Sequence, residues 1–122
     1  MEEMQDFRKL RVWQLSQEVA DRVYQITSEF PPAQLHCLTD QLRRATDSVT
    51  GNIAEGCGRA TKKEMAQFLH IALGSANEVD NGLFRASRVG LIKDPVYLPL
   101  REQVFDVRKM LVSLIKRVRE GA

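Results

Sequence analysis

Cysteine is scarce in this chain of 122 residues: Cys37 and Cys57 are its two, far apart and forming no CxxC. The opening residues MEEMQDFRKL run acidic and then basic, without the apolar core of a signal peptide. Together these features exclude a disulfide framework and predict free thiols in a cytoplasmic protein. Histidine is equally scarce. His36 and His70 are the only two, and no glutamate is followed by histidine three residues on: Glu55 meets Gly58, Glu64 meets Gln67, Glu78 meets Asn81. The Glu-x-x-His steps of carboxylate di-iron bundles are therefore missing, and neither a metal nor a cofactor is expected. Uninterrupted apolar runs fall far short of the roughly 20 residues that a membrane span needs. No stretch alternates apolar and polar residues as a half-buried strand does.

A nucleophile in a catalytic setting is missing too. Cys37 adjoins His36, but sequence neighbours on a helix point about 100° apart and do not face each other. Ser48 and Ser75 fall within helical patterns, where hydroxyls bond back to the preceding turn, and neither occupies a strand-to-helix elbow. The stretch Gly56 to Lys63, GCGRATKK, looks like a phosphate loop but lacks its GxxxxGK[ST] spacing and follows a helix instead of a strand. The expectation is a protein that is not an enzyme.

What is present is helical periodicity. With 43% apolar and 28% charged residues the composition is that of a folded domain, and its length suits one domain, residues 1–122. Val12, Leu15, Val19, Val23, Ile26 and Phe30 form one stripe, with Asp6 as N-cap and Pro31–Pro32 as the stop, predicting a helix over about 7–29. Leu35, Leu38, Leu42, Ala45, Val49 and Ile53 predict a second over about 35–57, closed at Gly56–Cys57–Gly58. Thr61 and Glu64 make a capping box for a third, over about 62–89, with Met65, Phe68, Ala72, Ala76, Val79, Leu83 and Ala86 on one face. Asp94–Pro95 reads as a cap and first position, yet Pro99 about a turn later moves the expected regular start to about 97, with the fourth helix ending near 120. Four short-linked helices, each with one apolar stripe, predict an all-α, antiparallel up-down-up-down four-helix bundle.

Three features go beyond a minimal bundle. Apolar residues exceed one stripe on the first and fourth helices: Trp13, Tyr24, Phe105, Met110 and Ile115 are surplus, which predicts a subunit interface and self-association. Cations cluster at Arg8, Lys9 and Arg11, at Arg59, Lys62 and Lys63, and at Lys116, Arg117 and Arg119, candidates for phosphates of RNA or DNA or for a solvated turn. A polar set lies beside the stripes. Asn52 and Glu55 are one turn apart on the second helix, Ser75 and Glu78 one turn apart on the third. These four read as a register-fixing network or as the wall of a cleft, with Arg43, Arg44 or Arg59 as donors.

Three segments carry a resemblance: FRKLRVWQLSQEVADRVYQ (Phe7 to Gln25), QLRRATDSVTGNIAEGCGR (Gln41 to Arg59) and KKEMAQFLHIALGSANEVD (Lys62 to Asp80). The combination of NIAEG with a following GR, then FLxIAxGS and a glutamate, resembles the four-helix-bundle proteins of the 23S rRNA intervening-sequence family. Thr50 and Cys57 depart from it, standing where members often carry a proline and an aromatic. The resemblance implies a cytoplasmic bacterial protein that forms ring-like homo-oligomers, typically pentamers. It also implies kinship with accessory proteins of diversity-generating retroelements, which bind nucleic acid and a reverse transcriptase. No catalytic residue is implied. The motif residues Asn52, Glu55, Gly56, Gly58, Arg59, Gly74, Ser75 and Glu78 transfer as architectural positions.

Overall fold

The computed structural model describes residues 6–121. Its helices are α1 (Arg11–Thr27), α2 (Asp40–Cys57), α3 (Lys62–Arg88) and α4 (Asp94–Glu120), and no strand occurs among the described residues. The expected all-α class holds, with three of the four starting points displaced or broken.

Asp6 is a cap, but of a shorter element. Its carboxylate accepts the Arg8 amide at 3.1 Å and starts a 3-10 turn over Phe7–Lys9; Leu10 is then extended, so α1 begins at Arg11 and not at residue 7. The break folds Phe7 and Leu10 onto the core, which a continuous helix would not allow. After Thr27 the chain turns through Pro31 and a 3-10 turn at Pro32–Gln34. Residues Leu35–Thr39 form a wide turn in which Cys37 leaves helical geometry (φ −119°, ψ −112°), so α2 is regular only from Asp40, not from 35. Leu35, expected on the buried face, is exposed for the same reason.

The start of α3 follows its signal closely. Thr61 Oγ1 accepts the Glu64 amide at 3.1 Å and donates to the Glu64 carboxylate at 3.0 Å. Gly90, at φ +83°, closes the other end, with the Leu91 amide donating back to the Ala86 carbonyl at 2.8 Å; glycine takes that left-handed geometry without strain. In α4, Lys93 is the cap position and Asp94 already lies in the helix, three residues earlier than expected. Tyr97 and Leu100 are buried on either side of Pro99, so burial holds the turn together although the proline supplies no amide there.

Cross-helix contacts establish the antiparallel order. Arg43 Nε donates to Thr27 Oγ1 (2.9 Å) and the Tyr24 hydroxyl to Asp47 (2.7 Å), joining α1 and α2. The Ser48 and Ser75 hydroxyls, 2.7 Å apart, join α2 and α3. Arg108 binds Asp80 (3.0 Å) and Lys62 binds the Gly121 carbonyl (2.6 Å), pairing α4 with α3, while Arg22 binds Gln103 (2.9 Å), pairing α1 with α4. In the α1–α2 and α3–α4 pairings one residue number rises as the other falls, and so it does for α2–α3, where Gly56 faces Met65 and Phe68 and Gly82 faces Leu42, and for α1–α4, where residues 9–12 line a groove with residues 109–117. Val23, Leu42, Ile53, Leu69, Leu83, Leu100 and Leu111 are all but sealed from solvent at the centre, the burial that stabilises amphipathic helices against their entropy cost.

Candidate nucleic-acid interface

Antiparallel packing brings the start of α1, the α2–α3 turn and the end of α4 to one end of the bundle. The three basic clusters, distant in sequence, meet there. One groove is lined by Lys9, Arg11, Lys109, Ser113 and Arg117 around Leu10, Val12, Met110 and Leu114. A second, across α3 and α4, is lined by Lys62, Lys63, Gln67, His70 and Arg119 around Ala66. Among the described residues no carboxylate lines either groove. When each helix is divided at its midpoint, this half of residues 6–121 holds eleven Lys and Arg against five Asp and Glu, and the other half seven against nine. A small net charge of +2 thus conceals a polarised molecule, and polarisation shapes the local potential more than the sum does.

The nine candidate cations are not equivalent. Arg8 pairs with Asp6 and lies 4.5 Å from the Phe7 ring centroid. Arg59 pairs with Glu55 and covers Phe68, also at 4.5 Å. Lys62 holds the Gly121 carbonyl. Lys9, Arg11, Lys63, Lys116, Arg117 and Arg119 are exposed and make no ion pair among the described residues. Lys109, Gln67 and His70 were not among the sequence candidates. The spacing of Lys109, Ser113 and Arg117, one turn apart on α4, is the signal that points to the first of them.

The expected polar network is smaller than the sequence implied. Asn52 Nδ2 donates to the Ser48 carbonyl (2.8 Å) and hydroxyl (3.0 Å), and Ser48 meets Ser75. Glu55 lies outside it, paired with Arg59 alone of the three proposed arginines; Arg43 goes to Thr27 and Arg44 to Asp40. Glu78 is exposed and joins neither group. Side chains turned to solvent need no donor, which is why the two glutamates do not converge. A void of about 10 Å³ lies among Ser16, Thr46, Val49, Val104 and their neighbours, at the limit of one water.

Of the five surplus apolar residues, Ile115 is a correction: it is buried in the core, because α4 turns Leu111, Leu114 and Ile115 inward together. Trp13 and Met110 are half-buried against the core, Trp13 meeting Phe7 edge-on at 5.1 Å between centroids. Tyr24 is partly exposed, but its hydroxyl binds Asp47 and Arg43 covers its ring at 4.8 Å. Phe105 remains outward, joined by Leu98, Val112, Ile71 and Phe84, which the single-stripe reading missed.

Two cysteines are free, Cys37 exposed and Cys57 buried. Burial, and secondarily the carboxylate of Asp6, raise the Cys57 thiol pKa. Among the described residues no group of His, Cys, Asp and Glu is placed to hold a metal, and no helix is long and apolar enough to cross a membrane.

Residues 8–113 match the family model described as 23S rRNA-intervening sequence protein. No curated protein matches the chain. Among solved structures, a protein of unknown function from the S23 ribosomal protein family of Bacteroides thetaiotaomicron superposes with a TM-score of 0.78. The match covers 86% of this chain and 98% of that one at 24% identity, a likeness of fold.

Proposed function

This chain belongs to the 23S rRNA-intervening sequence protein family, and on that footing we propose that it is a non-enzymatic, homo-oligomeric scaffold that binds RNA or DNA through the basic end of its bundle. The observation that carries the reading is the meeting of three cationic clusters in two grooves that no carboxylate lines among the described residues. Phosphate backbones are recognised through such unpaired cations, and each neutralised phosphate releases counterions. A ring of copies, five if it follows the family resemblance, repeats the basic end around one axis, and repeated weak contacts multiply avidity. The reading places the protein in the cytoplasm, where two free thiols are kept reduced. Its non-enzymatic part is supported by the Ser48–Asn52–Ser75 cluster, whose polar groups bind one another and leave Glu55 and Glu78 apart.

Fluorescence anisotropy with a structured RNA and a matching DNA tests this directly. Binding that weakens steeply with salt is the expected result; absent or salt-independent binding at low ionic strength removes the proposal. A second reading, an adaptor for a reverse transcriptase, another polymerase or a ribosome-associated protein, draws on the exposed Phe84 and Phe105. Co-purification of such a partner that survives nuclease treatment favours it.

A further inference from the structure

The outer face of α4 is patterned and, among the described residues, about half open to solvent, with Phe105 and Val112 bordering Leu73 and Asn77 of α3. Leu98, Phe105 and Val112 are 46%, 48% and 54% exposed and recur every seventh residue. Seven residues return a helix to within about 20° of the same direction, so the three form one stripe. Arg101, Lys109 and Lys116 accompany it, exposed and without an ion pair among the described residues. The Lys109 ammonium stands 5.3 Å from the Phe105 centroid. An apolar seam rimmed by charge is what another protein surface recognises. A nucleic acid gains from the cations, but Leu98 and Val112 offer its bases no stacking plane.

The matching surface lies across α2 and α3. Gly51 and Gly74 are exposed in mid-helix, and a Cβ at either would meet no atom within 4 Å. Gly56 and Gly82 differ, since a Cβ there would press on Met65 and Phe68 or on Leu42. Nothing among the described residues therefore requires glycine at 51 or 74, where it weakens a helix. The exposed Ile71 and Glu78 lie one turn to either side of Gly74, and the exposed Glu55 one turn beyond Gly51. The face combines open backbone, one bare apolar side chain and a carboxylate rim.

Resting on the oligomeric reading above, we infer that the Leu98–Phe105–Val112 stripe of one copy seats on the Gly51–Gly74 face of the next. The balance of charge favours this pairing. Along the stripe Arg101, Lys109 and Lys116 outnumber the exposed Glu102, so stripe against stripe sets like charge against like, whereas the α2–α3 face meets it with Glu78 and with Glu55, which Arg59 already pairs. The bare glycines leave room for the Phe105 ring near the backbone. Such a contact joins two different faces, so it propagates head to tail and closes into a ring when the rotation allows. Cyclic symmetry then turns every basic end toward the same side.

Light scattering on four samples tests the inference: the native chain, Gly51→Gln/Gly74→Gln, Phe105→Glu, and an equal mixture of the two variants, with Val112→Glu as a second lesion of the stripe. The native chain is expected well above the 13.9 kDa of one copy. Each variant alone is expected at the mass of one copy, with native helical circular dichroism. The mixture is expected at the mass of two copies, because each variant keeps one intact face for the other. A native monomer overturns the oligomeric reading itself. A native oligomer whose variants assemble unchanged, or whose mixture stays monomeric, overturns only the pairing of these faces. Unchanged assembly with nucleic-acid binding lost in Phe105→Glu assigns the stripe to nucleic acid and equally overturns it.

Discussion

Leu42 on α2 fills the space that a side chain at Gly82 on α3 would need: a Cβ at residue 82 would stand 2.6 Å from Leu42 Cδ2 and 3.2 Å from Cγ. Leu42 is completely buried, so any shift of its Cδ2 must be taken up by the packed side chains around it. Gly82→Ala gains about 0.5–1 kcal/mol of helix stability but incurs an overpacking cost of about 1–3 kcal/mol. A net loss of roughly 1 kcal/mol is expected in urea unfolding. In a Leu42→Ala background the same substitution should become neutral or stabilising, since the obstructing atoms are gone. An unchanged penalty there would show that the two residues do not compete for space.

Burial of this kind was legible in the stripes, and so were the helix count and the Thr61 and Gly90 boundaries. What the sequence could not reveal was tertiary override. Asp6 is a sound cap, yet packing of Phe7 on Trp13 stops its turn at Lys9. Pro99 argues against a helix that burial of Tyr97 and Leu100 nonetheless sustains. The basic clusters were each visible, but their meeting depends on helix direction, which no single segment encodes. Side-chain direction also separated Ile115, turned inward, from Phe105, turned outward, although both looked surplus.

Tyr24 should titrate late. Its hydroxyl donates to Asp47 at 2.7 Å, and that bond first, then partial desolvation and the Asp47 charge, raise its pKa above the ordinary 10.0, with Arg43 opposing. The neutral phenol is the form the fold favours, so its stabilising contribution is complete below the unfolded value near 10 and is lost as pH climbs through the higher folded value. The difference in phenolate absorbance between the native chain and Tyr24→Phe is expected to show a midpoint above 10. Asp47→Asn should return it toward 10. A midpoint at or below 10 in the native chain contradicts the contact.

The two thiols should differ in reactivity. Cys37 is exposed in an irregular turn, while Cys57 is buried and its thiol pKa is raised chiefly by that burial. A thiolate is the reacting species, so both access and ionisation hold Cys57 back. A chromogenic disulfide reagent near pH 8 is expected to label one thiol per chain quickly and the second only after unfolding. Cys37→Ser should remove the fast phase. Asp6→Asn should leave the slow one nearly unchanged, because burial is the larger cause.

Polarised charge makes the nucleic-acid reading quantitative. Lys63 and Arg119 lie in the same groove, exposed and without ion pairs among the described residues, whereas Lys62 is engaged with Gly121. If both free cations meet phosphates, Lys63→Gln/Arg119→Gln should flatten the slope of log affinity against log salt by about 1.8 on duplex and about 1.4 on single strands. Arg85 and Arg88, near the far end of α3 and also exposed without ion pairs among the described residues, provide the control of equal charge. Arg85→Gln/Arg88→Gln removes the same two charges from the molecule but should leave the slope within error of the native one. Equal losses from both pairs would mean that affinity follows net charge alone. The convergence of Lys9, Arg11, Lys63, Arg117 and Arg119 at one end would then have no part in binding.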